Sequence, residues 1–235
     1  MVSTGRRPKR EQPFTVHHDL ITERSEFFRA ARSVCWIKRS RVTKLVDAHP
    51  YIFSAYLNCL YLGAEFMTKH RETMRTEGYM RAEDNKANKI TGGEDNVTVA
   101  FFIDLHILAD KLLDPITANL VVDELIAFVG TMPSVPGADT VNSVYSRTAD
   151  GSPVRCLCRD WQLHERARDW ALKNPKADWN LPLEFLHDLL IESARLQVET
   201  PSMPIREVFN QGTMTRAKGH YHRKVERKSK AGLGA

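Results

Sequence analysis

Cys156, Cys158 and His164 carry the groups from which a thiolate nucleophile and its base could be assembled, because residues six apart can meet across two helical turns. Such a nucleophile also needs an oxyanion donor and a cleft, and no segment of the chain points to either. The same cysteines do not match a zinc site, which takes CxxC spacing and two further ligands. Cys35 and Cys59 fall in apolar contexts, where reduced thiols act as small hydrophobes. Four cysteines in 235 residues do not make a disulfide framework. His17-His18-Asp19 is the other grouping with ligand or general-base chemistry. No Walker loop, GxGxxG, GxSxG or HExxH pattern occurs. The expectation is a chain without catalysis, cofactor or metal.

The elements that would carry these residues are mostly helical. Phe14-Thr15-Val16 reads as a short strand, and His17 to Arg24 as a helical turn with Leu20 and Ile21 inward. Ser25 suits an N-cap for a second helix, whose Phe27, Phe28 and Ala31 form a buried stripe. Val42 to Val46 alternates as a strand. The turn Asp47-Ala48-His49-Pro50 then starts a helix on which Ile52, Phe53, Tyr56, Leu57, Leu60 and Tyr61 recur at helical spacing until Gly63. Between 65 and 96 charged residues, glycine and asparagine dominate. That composition predicts a long mobile insertion, with a transient helix near Met67 to Met74.

Val99, Phe102, Leu105, Leu108, Ala109 and Leu112 mark a strongly periodic helix. Asp114-Pro115 caps the next, which carries Leu120, Val121, Glu124, Leu125, Phe128 and Val129. Past Gly130, residues 137–200 read as a helical extension. Its helices are predicted over Thr140 to Tyr145, Val154 to Leu172 and Pro182 to Ala194, with Trp161, Trp170 and Trp179 packing it onto the preceding helices.

Three segments together resemble the BTB/POZ domain in the form found in fungal proteins. They are Phe14 to Ala31 (FTVHHDLITERSEFFRAA), Pro50 to Gly63 (PYIFSAYLNCLYLG), similar to the family's helix ending in "LYTG", and Leu105 to Leu112 (LHILADKL), similar to its "LYVLADKL" helix. The likeness covers roughly residues 13–130. It implies an α/β, mostly helical fold in which a small sheet is capped by helical hairpins, with a non-catalytic role as a scaffold for homotypic or heterotypic protein association. It also implies a structural histidine at His17 and a partner-binding surface around Phe14, Val16, His18, Leu20 and Phe27.

The chain departs from the family pattern in two places. Where the family carries a β-rich first strand with an acidic residue, this chain has GRRPKREQ, so His18 lacks its usual acidic mate and the first strand is expected to be missing. An absent strand would leave a sheet edge open to pairing or self-association. Where cullin-binding members carry a hydrophobic-x-Glu element, this chain has Trp36-Ile37-Lys38. A reversed charge at an interface costs several kcal/mol, which argues against a substrate adaptor of a cullin-based ubiquitin ligase.

Charge placement bears on a further alternative, a nuclear transcription-associated regulator. Residues 1–12 and 210–235 carry +3 and +6 of a formal net charge of +5, so the body sums to −4. Residues 1–12 and 201–235 are expected to be disordered basic tails, giving at most weak nucleic-acid contact. Apolar residues make up 42% and charged residues 27%, close to the globular average. No apolar run approaches a membrane span and no apolar stretch follows the basic N-terminus, so the expected location is intracellular, cytoplasmic or nuclear.

Overall fold

The structure, a computed structural model, describes residues 2–4, 12–31, 42–74, 94–131, 137–163, 180–199 and 222. Helix dominates it. In chain order the elements are β1 (Val2–Thr4), β2 (Gln12–Phe14), α1 (His18–Arg24), α2 (Glu26–Ala31), β3 (Thr43–Leu45), α3 (Pro50–Leu62), α4 (Ala64–Met74), α5 (Glu94–Lys111), α6 (Pro115–Val129), α7 (Ala138–Arg147), α8 (Pro153–Leu163) and α9 (Leu183–Glu199). Among the described residues no helix is long and apolar enough to cross a membrane.

β1 runs antiparallel to β2, with Val2 opposite Phe14, and parallel to β3, with Val2 opposite Thr43. The strand order is therefore β2-β1-β3. This differs from the expected loss of a first strand. GRRPKREQ indeed lacks β-branched residues, but Val2-Ser3-Thr4 precedes it and holds two of them, which suit an extended backbone. β2 also ends at Phe14 rather than at Val16.

A second difference concerns the expected insertion from residue 65. Gly63 ends α3 at φ 60°, a left-handed conformation that glycine adopts without a Cβ penalty. The chain then re-enters helix at once, and α4 buries Phe66 and Met67. The Cys59 and Met67 sulfurs lie 3.5 Å apart. Phe66 and Met67 sit on one turn of a helix otherwise rich in charged and polar residues, and both join the core. Residues 75–93 lie outside the described residues, and α5 begins at Glu94, earlier than its apolar periodicity indicates.

One apolar cluster runs from Ile21 to Phe185. Its centre is α5, on which Val99, Phe101, Phe102, Ile103, Leu105, Ile107, Leu108 and Ala109 are all buried. A helix apolar on every side has to be enclosed, and α3, α6 and α7 enclose this one. Phe101 meets Tyr51 of α3 edge-on at 5.8 Å, and Phe102 meets Phe128 of α6 at 6.0 Å. Leu105 is fully buried on the same helix.

The segment beyond Gly130 adds to this core rather than building another of comparable size. Val141, Val144, Tyr145, Val154, Leu157, Cys158 and Phe185 belong to the same cluster, and Trp161 packs half-buried against it. Arg147 Nη1 binds Asp104 Oδ1 at 2.5 Å, tying α7 to α5. Trp170 and Trp179, and the expected continuation of α8 to Leu172, lie outside the described residues.

Candidate functional site

The expected partner-binding residues divide into an inner and an outer set. Phe14 sets its ring edge-on against Phe53 at 5.1 Å. Val16, Leu20 and Phe27 also pack half-buried against the core. These four therefore spend much of their apolar surface inside the molecule. His18 faces outward and shares a 2.9 Å contact with Asp19 Oδ1, a wholly exposed pairing of little energetic weight. Trp36, Ile37 and Lys38 lie outside the described residues.

Beside them the outer surface is completed from α3. The Tyr61 hydroxyl accepts the backbone N–H of His17 at 3.2 Å and lies 3.0 Å from the same residue's Nδ1, so it can donate there. The two rings meet edge-on at 5.7 Å. His17 thus fixes the entry to α1 against the end of α3. Tyr61 and Leu62 remain 46% and 56% exposed, large apolar side chains at the rim of this surface. Leu62 was not singled out from sequence, because helical periodicity reports the inward face and says nothing of what stands at its edge.

Beneath this surface lies a buried polar hub. Asp114 has no solvent exposure, and its Oδ1 accepts the Thr117 N–H at 3.0 Å, the cap expected of Asp-Pro. Its Oδ2 accepts from the Thr117 hydroxyl at 2.7 Å and from the Tyr56 hydroxyl at 3.2 Å. Arg24 closes the group, with Nε 3.5 Å from Asp114 Oδ1 and Nη2 donating to Thr117 Oγ1 at 2.9 Å. Ser25 accepts the Phe28 N–H, as its cap position predicts, and donates to the Leu112 carbonyl at 2.5 Å. The Glu26 and Phe27 N–H groups donate to the carbonyls of Leu113 and Leu112. Burial, reinforced by Asp114, drives the Tyr56 hydroxyl far above its usual pKa, and burial pushes the Cys59 thiol up to about 12. Sequence reasoning found both caps but missed the hub, because the Tyr56 contact spans 58 residues.

Cys156 and Cys158 lie on α8, in accord with a structural helical reading. Burial raises the Cys156 thiol, with Arg159 opposing, and raises the Cys158 thiol further. In both cases burial works against the charged thiolate form. His164 lies outside the described residues. Among the described residues no group of three His, Cys, Asp or Glu side chains is arranged to hold a metal ion.

The polar side chains of this region work as staples. Arg155 is buried, donating to Thr148 Oγ1 at 3.1 Å, Asp150 Oδ1 at 2.6 Å and the Tyr145 carbonyl at 2.7 Å, with its guanidinium 4.6 Å above the Tyr145 ring. The Tyr145 hydroxyl donates to Asp188 at 2.9 Å, and Arg159 joins Asp160 to Glu192, so α7, α8 and α9 are linked in series. In the basic tail, His222 stands 2.9 Å from Asp123 on α6. Comparisons of the chain with family models, with curated proteins and with solved structures return no match.

Proposed function

We propose that this chain is a non-catalytic protein-interaction module of the BTB/POZ type, a scaffold for homotypic or heterotypic association. One observation carries the reading. The three segments that bear the resemblance, separated by long stretches of chain, meet in one core: Phe14 on Phe53, Ser25 and Phe27 on Leu112, and the α3 helix that holds Phe53 on the α5 helix that holds Leu105. Such mutual contact is what a shared family core would require of them. In this reading the three short strands form the family's small sheet, and the α1–α2 and α5–α6 pairs are its capping hairpins.

The interaction face would be the outer surface where the start of α1 meets the end of α3: His17, His18, Tyr61 and Leu62, with Phe14, Val16, Leu20 and Phe27 supporting it from within. An apolar rim flanked by histidines and carboxylates suits a protein surface, where aromatic and aliphatic anchors supply most of the binding energy. Leu62→Asp places a charge on this rim without touching the core. Full-length wild-type and Leu62→Asp chains, immobilised in reduced cell extract, should capture partner sets that differ by mass spectrometry, with unchanged helical circular dichroism. Identical sets would overturn the assigned face. Sequence-specific duplex binding that survives deletion of residues 210–235 would overturn the reading in favour of a nucleic-acid-associated regulator.

A further inference from the structure

α6 buries one side and keeps part of the other uncovered. Thr117, Ala118, Val121, Leu125 and Phe128 are buried, while Ile116, Leu120, Asp123 and Ala127 follow one another three or four residues apart on the opposite side. Asp123 and Glu124 are the only charged residues of this helix, and Ile116 is 45% exposed. A residue from far along the chain meets this side: His222 Nε2 stands 2.9 Å from Asp123 Oδ1, across 99 residues of sequence. Both side chains are largely covered, at 29% and 27% exposed. His222 is the one residue described beyond Glu199.

We propose that this side of α6 is the docking site of the chain's own C-terminal segment, pinned at His222 by Asp123, and that docking withholds the segment's cations from anionic partners. The sequence around the pin fits the site. His220-Tyr221-His222-Arg223-Lys224-Val225 sets basic residues beside Tyr221 and Val225, for a helix that offers two adjacent carboxylates among Ile116, Leu120 and Ala127. A pair at a partly exposed surface contributes little by itself, whereas bringing the chain back from Glu199 to α6 carries an entropy cost that grows with the length closed. Apolar contact from Tyr221 and Val225 therefore has to reinforce the pin. The charge balance favours the same occupant. Residues 210–235 carry +6 and residues 13–209 sum to −4, so the segment's Lys and Arg residues are drawn to the body that bears Asp123. The inference uses none of the residues assigned to the interaction face above and stands or falls apart from it.

The test is limited trypsin digestion of the full-length chain, read by mass spectrometry at Arg227 and Lys228. Each rate is taken relative to the free peptide 210–235 of the same sequence. Cleavage should run about fivefold or more faster in His222→Ala than in wild type, because proteolysis follows the population of the released segment. Tyr221→Ser should act in the same direction. His222→Asp alone and Asp123→His alone should each release the segment, and the double exchange should restore protection, since it rebuilds the pair with its ends reversed. Helical circular dichroism should match wild type throughout, and His222→Ala decides the matter on its own if Asp123→His fails to fold. On immobilised heparin, His222→Ala should elute at higher salt than wild type, because the freed cations reach the polyanion. Cleavage unchanged by His222→Ala would overturn the proposal. So would a well-folded double exchange no better protected than the single variants, or protection that fades on dilution, which would assign the segment to a second copy. Equal elution from heparin would overturn the withholding of its cations.

Discussion

The hub around Asp114 and the staples around Arg155 use the same chemistry in different settings. At Asp114 a carboxylate with no exposure gathers Arg24, Tyr56 and Thr117 from three separate elements. At Arg155 the buried group is the cation, and most of its partners, the Tyr145 and Thr148 carbonyls, Thr148 Oγ1 and Asp150, lie within ten residues. The first region depends on long-range closure, the second on local wrapping. The helices differ in the same sense, since α5 is enclosed and α9 is covered along one side only.

Breaking the distant hub should give the largest effect. Asp114→Ala strands the Arg24 cation and removes acceptors from Tyr56 and Thr117, and should lower stability by about 3–5 kcal/mol in denaturant unfolding. Arg155→Ala should cost distinctly less, since its carboxylate partner Asp150 is exposed and stays solvated when the cation is lost. Equal losses at the two sites would erase the contrast between them.

Leu105→Ala probes the enclosed helix by cavity formation and should cost about 2–5 kcal/mol. The same measurement on Leu190→Ala should show almost nothing. At the junction of α7 and α9, Tyr145→Phe removes the hydroxyl that binds Asp188 while keeping the ring beneath Arg155, for an expected loss of about 1.5 kcal/mol.

Alkaline titration sharpens the comparison further. Cys59 has its thiol raised from 9.0 to about 12 by burial, so the unfolded chain loses that proton first as pH rises. The folded state then binds more protons than the unfolded one, and stability falls with pH. The contribution is fully present below pH 9 and is lost progressively between pH 9 and 12. Cys158 and Tyr56, shifted the same way by burial, add to the decline. Denaturation midpoints should be flat from neutral pH to about 9 and fall beyond it. Cys59→Ala should make that fall shallower. The smallest effect belongs to the exposed Lys69–Glu65 pair on α4, where Lys69→Ala should change stability by less than about 0.5 kcal/mol.

Much of the architecture follows from spacing along the chain. The run from Val99 to Leu112 specifies an enclosed helix, Asp114-Pro115 the start of the next and Ser25 the cap of α2, because each depends on residues within one or two turns. Local signals also mislead in identifiable ways. The polar composition after Gly63 indicates only a transient helix near Met67 to Met74, where α4 runs from Ala64 with Phe66 and Met67 buried, and the strand of Val2-Ser3-Thr4 lies just before the basic GRRPKREQ that lacks β-branched residues.

What sequence determined by itself is therefore the strongly periodic helices, the Ser25 and Asp114 caps and the inward faces, since helix period and capping are properties of neighbouring residues. Tertiary structure alone decided that Asp114 would collect Arg24 and Tyr56, that Tyr61 would hold His17, and that α9 would keep Leu183 and Leu190 outside while Phe185 went in. Those outcomes depend on which surfaces meet across many residues of intervening chain. Helical spacing marks a residue as apolar and on a given face, but it cannot say which of two apolar faces the rest of the molecule will cover.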